Sequence, residues 1–486
     1  MKNNLILVYP PKSSTGYTSD VSLALLYLAG VARESGLCEN ISIFDFNTPF
    51  GIGKSINDLL ETIFSLGYDG KTIVAINCLF SAVFPYVRKI AKSIKETFPD
   101  IMVITGGMHP TFFAKEIIDN CPEIDAVALG ESDSTFPKLL RFFYKNECIN
   151  NLEGYCLRLN GKTVIATRSP FIADLDSLPR PGYEFYNFEE YSNDTSNWWD
   201  PDGIKISPFY LPILTSRSCP VQCSFCAMRI VMGNIFRSRC AENVFEEIKF
   251  LYDVYGVNYF KIEDDNITLH RERFIKLCKL IINSRIKIYF DTQNGISLRT
   301  LDEEIVDLMR RAGFIMVSLA IESGSDYIRN KIMGKNISRA QIIRAFKLCR
   351  NVGINTMAFF IIGMPEDTER TLKETADLIE EIETTRLSIS VAKPLPGTKL
   401  FEQCNRDNLF NGGFDADTLW TGEAEGNNKN KEDFFIKRIF KPSARQFWIK
   451  PYNISIDRLE EIDIELQKLA YKKSKAWVEH MRRNNA

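Results

Sequence analysis

Three of the twelve cysteines in this chain, Cys219, Cys223 and Cys226, fall within one short stretch, SRSCPVQCSFCAM, at residues 216–228. Thiolates at that spacing select soft metals. Structural zinc sites are closed by four ligands, usually in two pairs a dozen or more residues apart. Here no second pair lies nearby, and of the three histidines His270 and His480 are isolated. A chance grouping of core thiols is the bland alternative. Against it, Pro220, Gln222 and Ser224 between the cysteines mark a polar loop. An iron-sulfur cube needs one ligand per iron, so three cysteines leave one iron open to a small-molecule ligand.

The other cysteines are scattered, mostly in apolar contexts such as IKLCKLI, which suits reduced, buried thiols rather than a disulfide framework. At 486 residues the chain is too long for one ordinary core, and two to four domains are expected. A composition 45% hydrophobic and 25% charged is that of a globular protein. Sixty Lys and Arg against 62 Asp and Glu leave no uniform field to hold nucleic acid or an anionic membrane. The N-terminal MKNNLILVYPPK is too short for the apolar region of a signal peptide. The longest apolar run, residues 21–32, falls below the ~20 residues of a membrane span. The expectation is a cytoplasmic protein with a small-molecule substrate and neither nucleic acid nor membrane as partner.

Two alternating patterns must position the loop. Strand-like runs at 5–9, 41–46, 72–77, 101–105 and 125–130 are separated by helical periods, as in Val83, Val87, Ile90, Ala91 and Ile94. They predict an α/β, doubly wound, flavodoxin-like parallel sheet over residues 1–149, with ligands at the strand C-termini. Residues 150–205, rich in Pro, Gly and aromatics, read as a packed connector. Over 206–404, candidate strands at 211–216, 258–263, 286–291, 315–320, 356–362 and 387–392 predict a partial (β/α)6 TIM-type barrel, with helix stops at Gly256, Gly313 and Gly353. Residues 405–486 read as a small, α-rich C-terminal module, in which Trp448 and Tyr452 line a cavity or join a core. The cysteine triplet lies just past the first barrel strand.

Cys219, Cys223 and Cys226, with Phe225 before the last, resemble the signature of radical S-adenosylmethionine (SAM) enzymes. The resemblance implies a [4Fe-4S] cluster on these cysteines, with SAM chelating the fourth iron and yielding a 5′-deoxyadenosyl radical on reduction. It also implies SAM contacts, besides Phe225, from three strand ends. These are Glu263 and Asp264 in IEDDN, which departs from the family's Gly-Gly-Glu pattern; Glu322 and Ser323 in AIESGS; and Ile362, Gly363 and Met364 in FIIGMPEDT. For each, a solvated acidic or polar loop is the alternative.

GGMHPT at 106–111 and DAVALGESDST at 125–135 resemble the cobalamin-binding domain that precedes many such barrels. The resemblance places Gly107, His109, Pro110, Thr111, Gly130 and Glu131 along the nucleotide tail and Tyr9, Pro10 and Pro11 toward the corrin; His109 as a helix-capping loop histidine is the alternative. The first loop, PPKSSTGYTSD, lacks the cobalt-ligating histidine of many cobalamin domains. Together these imply a cobalamin-dependent radical SAM methyltransferase that moves methyl from SAM, via methylcobalamin, to an unactivated carbon or a phosphorus of a small molecule of the natural-product kind, with flavodoxin or ferredoxin as electron donor. The rivals are a cobalamin-dependent radical cyclase or rearrangement enzyme, a methylthiotransferase with a second cluster on Cys38, Cys78 and Cys121, and a non-catalytic carrier.

Overall fold

A computed structural model describes residues 2–11, 21–48, 54–67, 71–148, 153–159, 161–167, 171–191, 207, 209–411, 419–421 and 445–484, with side chains up to 475. The chain divides into two compact units near residue 193, the first also taking in Ile230–Met232 and Leu419–Thr421.

The first unit is built on strands β1 (Asn3–Tyr9), β2 (Asn40–Asp45), β3 (Lys71–Asn77), β4 (Met102–Gly106) and β5 (Ala126–Ala128), all parallel, in the order β2-β1-β3-β4-β5. Runs such as LILVY and TIVAI are buried on both faces, as strands between helical layers must be. Helices α1 (Leu23–Ser35), α2 (Ile56–Ser65), α3 (Phe84–Thr97), α4 (Met108–Phe112), α5 (Ala114–Asn120) and α6 (Phe136–Lys145) connect and follow them. Leu25 and Ala29 of α1 join Leu139 and Leu140 of α6 against Leu5, Leu7, Ile73 and Ile104 in one core. In this strand order the chain leaves β1 and β3 in opposite directions, and the crevice at their C-terminal ends is where such sheets take ligands.

The opening part of the predicted connector continues this sheet. Strands β6 (Tyr155–Leu159) and β7 (Lys162–Ile165) add an antiparallel hairpin beyond β5, closed around Gly161. Among the connector's other described residues, Tyr186 Oη accepts from Ser22 N at 3.2 Å, and Tyr191 Oη donates to buried Asp45.

The second unit holds six parallel strands, β8 (Leu211–Ile213), then β11 (Tyr259–Ile262), β12 (Tyr289–Ile296), β13 (Phe314–Glu322), β14 (Asn355–Ile362) and β15 (Arg386–Val391), paired in chain order. Between β8 and β11 a two-stranded ribbon, β9 (Ser216–Arg217) and β10 (Arg237–Ser238), flanks the short helix α7 (Met228–Met232). The crossover helices are α8 (Ala241–Tyr255), α9 (Arg271–Ser284), α10 (Glu303–Ala312), α11 (Arg339–Asn351) and α12 (Glu369–Glu381). Side-chain caps start them: Asp302 accepts from Ile305 N, and Ser338 and Thr368 form capping boxes. Gly256 and Gly313 stop α8 and α10 in the left-handed conformation, and Gly353, two residues past α11, is left-handed too. Phe260, Phe290 and Phe314 stack outward and meet Phe274 of α9.

The edge strand β15 is covered by α14 (Ile456–Asn484), which follows α13 (Lys399–Arg406) and an irregular stretch. Arg445 donates to Ile389 O at 2.7 Å and pairs with buried Asp463 of α14 at 2.6 Å. Trp448 is buried with Lys393 over its ring at 5.3 Å, whereas Tyr452 is exposed and donates to Asp407. Removing one partner of a buried pair strands the other, at a cost of ~3–5 kcal/mol. Asp463→Ala is therefore expected to free α14 from β15, read by hydrogen exchange as lost amide protection in both elements. Unchanged protection would show that the pair does not hold this edge.

Candidate active site

The cysteine loop is fixed before it begins. Thr215 donates to Asp264 through its amide and its hydroxyl, each at 2.6 Å, and Ser216 Oγ donates to the same carboxylate. Thr215 O in turn accepts from Arg239 N at 3.0 Å and from Arg273 Nη2 at 2.8 Å. These bonds end β8 at Ile213, short of the predicted 216. Ser218 is left-handed, its hydroxyl donating to Gly233 O at 2.6 Å. Within the loop Cys226 N donates to Cys223 O at 3.2 Å, Ser224 N donates to Met333 O at 3.1 Å, and Ser224 O accepts from Leu400 N at 3.0 Å. The backbone is pinned from two neighbouring segments.

All twelve cysteines are free thiols, and Cys219, Cys223, Cys226 and the intervening Phe225 are half-buried. Burial raises all three thiols, Cys223 to about 11, while the Lys335 ammonium pulls them down. Among the described residues no three His, Cys, Asp or Glu side chains converge as a single metal ion requires. In a cube each thiolate binds a different iron, so a shared loop of soft, non-convergent sulfurs fits a cluster and not one zinc ion.

The strand ends around this loop sort into groups that face it and groups spent on the scaffold. Asp264 belongs to the second kind: it is 2% exposed, with its oxygens occupied by Thr215 and Ser216, so it anchors the loop. Its neighbour Asp265, which sequence reasoning passed over, has a buried Oδ2 with no hydrogen-bond partner and acts electrostatically on Cys219 and Cys226. Burial, then Asp264, raises its carboxyl to about 6. Glu263 is half-buried and accepts from Asn294 at 3.1 Å.

At the end of β13, Glu322 sits left-handed beside a bulge and pairs with Lys335 at 2.8 Å. Burial alone would push Lys335 down; Glu322 and Cys223 more than reverse it. Lys335 was not singled out in the sequence, because only the fold brings residue 335 back to residue 322. Ser323 is buried, its hydroxyl 3.4 Å from Thr375 Oγ1 and accepting from Ser325 N. Fully buried Arg329, in a π-helical turn at Tyr327–Ile332, donates to Ser323 O at 2.7 Å and Ile337 O at 2.7 Å and so holds both ends of the connection from β13 to α11.

The loop after β14 satisfies itself. Gly363 N and Met364 N each donate to buried Asp367 at 2.9 Å, and Ile362 O accepts from Ala392 N at 2.8 Å. Ile362 and Met364 are fully buried, and the amides of Gly363 and Met364 are occupied within the turn.

In the first unit, Thr111 stitches two predicted segments together: its hydroxyl donates to Gly107 O at 2.7 Å and accepts from Gly130 N at 3.0 Å. Gly107 has φ of 122°, and a Cβ there would lie 2.4 Å from Cys78 O. Glu131 accepts from Ile172 N at 3.4 Å, and Pro110 is buried. His109 is 1% exposed, with Nδ1 3.0 Å from Ser81 Oγ and Nε2 3.0 Å from Trp420 O; burial holds its pKa near about 4. It ties Ser81 and Trp420 together. Tyr9 lies in the core and Pro10 is buried, leaving Pro11 half-buried; most of the following loop, 12–20, and the polar run 422–433 lie outside the described residues. Glycine-bearing loops with close backbone approach at the strand C-termini fit a bulky cofactor.

The radical SAM superfamily model matches residues 213–379 and the B12 binding domain model residues 17–140. An uncharacterized methyltransferase of Pyrococcus horikoshii, PH0819, is 30% identical over 414 residues, 84% of this chain and 84% of that protein. The chain belongs to the cobalamin-dependent radical SAM enzymes. The cytidylyl-2-hydroxyethylphosphonate methyltransferase of Streptomyces wedmorensis is 28% identical over 439 residues, 82% of this chain and 80% of that one. The structure of TsrM from Kitasatospora setae, a radical SAM methyltransferase with cobalamin and a [4Fe-4S] cluster bound, shares the fold: TM-score 0.71 over 97% of this chain and 89% of that chain, at 15% identity. This radical SAM enzyme uses a [4Fe-4S] cluster, SAM and cobalamin, and it transfers methyl groups.

Asp367 gives the site a pH signature. Burial raises its carboxyl from 3.8 to about 6, so the folded state holds the proton more tightly than the unfolded chain. Its contribution to stability is full below about pH 4 and lost as pH rises through about 6. The melting-temperature advantage of wild type over Asp367→Asn should shrink across that window; a pH-independent difference would contradict the assignment.

Proposed function

We propose that this enzyme methylates an unactivated carbon, or a phosphorus, of a small molecule, in the reducing cytoplasm and with a flavodoxin- or ferredoxin-type electron donor. The observation that carries the reading is the pinned three-cysteine loop with a buried ammonium and an orphan carboxylate oxygen beside it. Cys219, Cys223 and Cys226 would hold three irons of the cluster. SAM chelating the fourth would present a carboxylate and an amino group, which are the complements of Lys335 and Asp265. Glu322 keeps Lys335 charged and aimed. The bound groups supply hydrogen-atom abstraction and methyl carriage; the protein's part is to orient them and exclude water. Gly107, Thr111, Gly130 and Glu131 would line cobalamin.

The methylthiotransferase reading needs one cluster on Cys38, Cys78 and Cys121. Cys38 precedes β2 and Cys121 precedes β5, whereas Cys78 follows β3, so they occupy opposite ends of a parallel sheet. That placement disfavours it.

Anaerobic enzyme reconstituted with both cofactors, reduced, and given SAM with candidate metabolites tests the proposal by product mass spectrometry. S-adenosylhomocysteine, 5′-deoxyadenosine and a methylated product are expected together. 5′-Deoxyadenosine without S-adenosylhomocysteine would mean a cyclase or rearrangement enzyme, and neither product a carrier. Lys335→Met and Asp265→Asn should each weaken SAM binding about 10- to 100-fold, the value of a charge-assisted hydrogen bond. Unchanged SAM affinity would remove those two residues from the site.

A further inference from the structure

In the second unit the side chains of β11, β12 and β13 alternate between two faces of the sheet. Phe260, Phe290 and Phe314 stack on the helix-covered face, against Phe274 of α9. Lys261 and its register partner Asp291 therefore stand on the opposite, concave face, as do Tyr259 and Tyr289. Toward the strand N-termini, Tyr210, Tyr259 and Ile315 form a small core of their own, with Tyr289 packed against it.

Asp291 brings an unmet charge to this aromatic floor. Tyr259 Oη donates to its Oδ2 at 3.4 Å, whereas its Oδ1 is buried and has no hydrogen-bond partner among the described residues. Lys261 lies over the Tyr210 ring at 3.6 Å and acts on Asp291 through its charge, as does Arg386 at the start of β15. Burial raises the Asp291 carboxyl to about 6, with Lys261, Tyr259 and Arg386 pulling it back down. Leaving a buried carboxylate oxygen unbonded costs stability, so such an oxygen calls for a donor from outside the protein. On the way from this floor to the strand C-termini the same face is largely apolar. A Cβ on left-handed Gly295 of β12 would lie 3.4 Å from both Ala320 Cβ and Phe359 Cε2, so these three residues border one space.

Resting on the reading that this enzyme acts on a small molecule, we infer that Asp291 Oδ1 accepts an O–H or N–H donor at the inner end of that substrate, and that the donor is borne on a flat apolar ring lying against Gly295, Ala320 and Phe359. Apolar walls with one placed polar group are how small-molecule sites fix orientation. A ring without the donor would leave the carboxylate oxygen buried and unbonded, which is the strongest form of discrimination such a site has. Asp291 selects and positions; it takes no part in the chemistry.

The test uses the full-length, cluster-reconstituted protein without SAM and two probes that differ at the donor, phenol and anisole, with affinities from ligand-observed nuclear magnetic resonance titrations. Phenol is expected to bind wild type about tenfold tighter than anisole, the value of a hydrogen bond to a charged acceptor. Asp291→Leu should erase that difference while leaving anisole binding unchanged. Asp291→Asn, which keeps the shape of the side chain, is read where circular dichroism shows the leucine variant unfolded, and a smaller preference for phenol is expected. Equal affinities in wild type would overturn the inference and assign the oxygen to water. Binding of neither ring would overturn it as well, and so would a preference for phenol that Asp291→Leu and Asp291→Asn leave intact. Because no SAM is turned over, a failure of methyl transfer in the product assay would sink the proposed function and leave this result standing.

Discussion

A small molecule can chelate an iron-sulfur cluster only where the protein withholds a ligand, and much of the second unit serves to keep that vacancy in place. The loop bearing Cys219, Cys223 and Cys226 presents three thiols from one short turn, with its backbone bonded to Met333 and to Leu400. A loop held this way cannot fold over to offer a fourth group without breaking those bonds. The groups that do reach toward the thiols are an ammonium and a carboxylate, Lys335 and Asp265, neither of which competes as a soft ligand.

The buried polar residues divide according to this constraint. Asp264, Ser323, Arg329 and Asp367 each bond to backbone or hydroxyl groups of the loops that end β8, β13 and β14. They convert flexible strand ends into fixed ones, as rigid support for a reactive site requires. Glu322 stands between the two kinds, structural in its left-handed backbone and electrostatic in its hold on Lys335. In the first unit His109 plays the same supporting part, bonding Ser81 and Trp420 O.

Both sheets were legible in the sequence because their strands alternate with helices over long, regular periods. Strand ends were less so. The third barrel strand runs Tyr289–Ile296 instead of 286–291, since the apolar run IKI precedes the pairing and polar DTQNG continues it through a bulge. The hairpin at Tyr155–Ile165 escaped notice because half of it is exposed and lacks a continuous apolar face. For the site, the cysteine spacing carried the chemistry unaided. Acidic neighbours could not be ranked the same way: Asp264 and Asp265 look alike in sequence, and only burial and partners distinguish an anchor from a free oxygen. Lys335 was invisible because its partner, Glu322, is reached through a π-helical turn that no local pattern announces.

The central claim is that a cluster on Cys219, Cys223 and Cys226 keeps one iron for SAM. Its most direct measurement is the electron paramagnetic resonance spectrum of the anaerobically reconstituted, reduced cluster before and after SAM is added. The account predicts a changed spectrum on addition, lost when Cys223 is replaced by Ala. A reduced cluster of full iron content whose spectrum ignores SAM would contradict it.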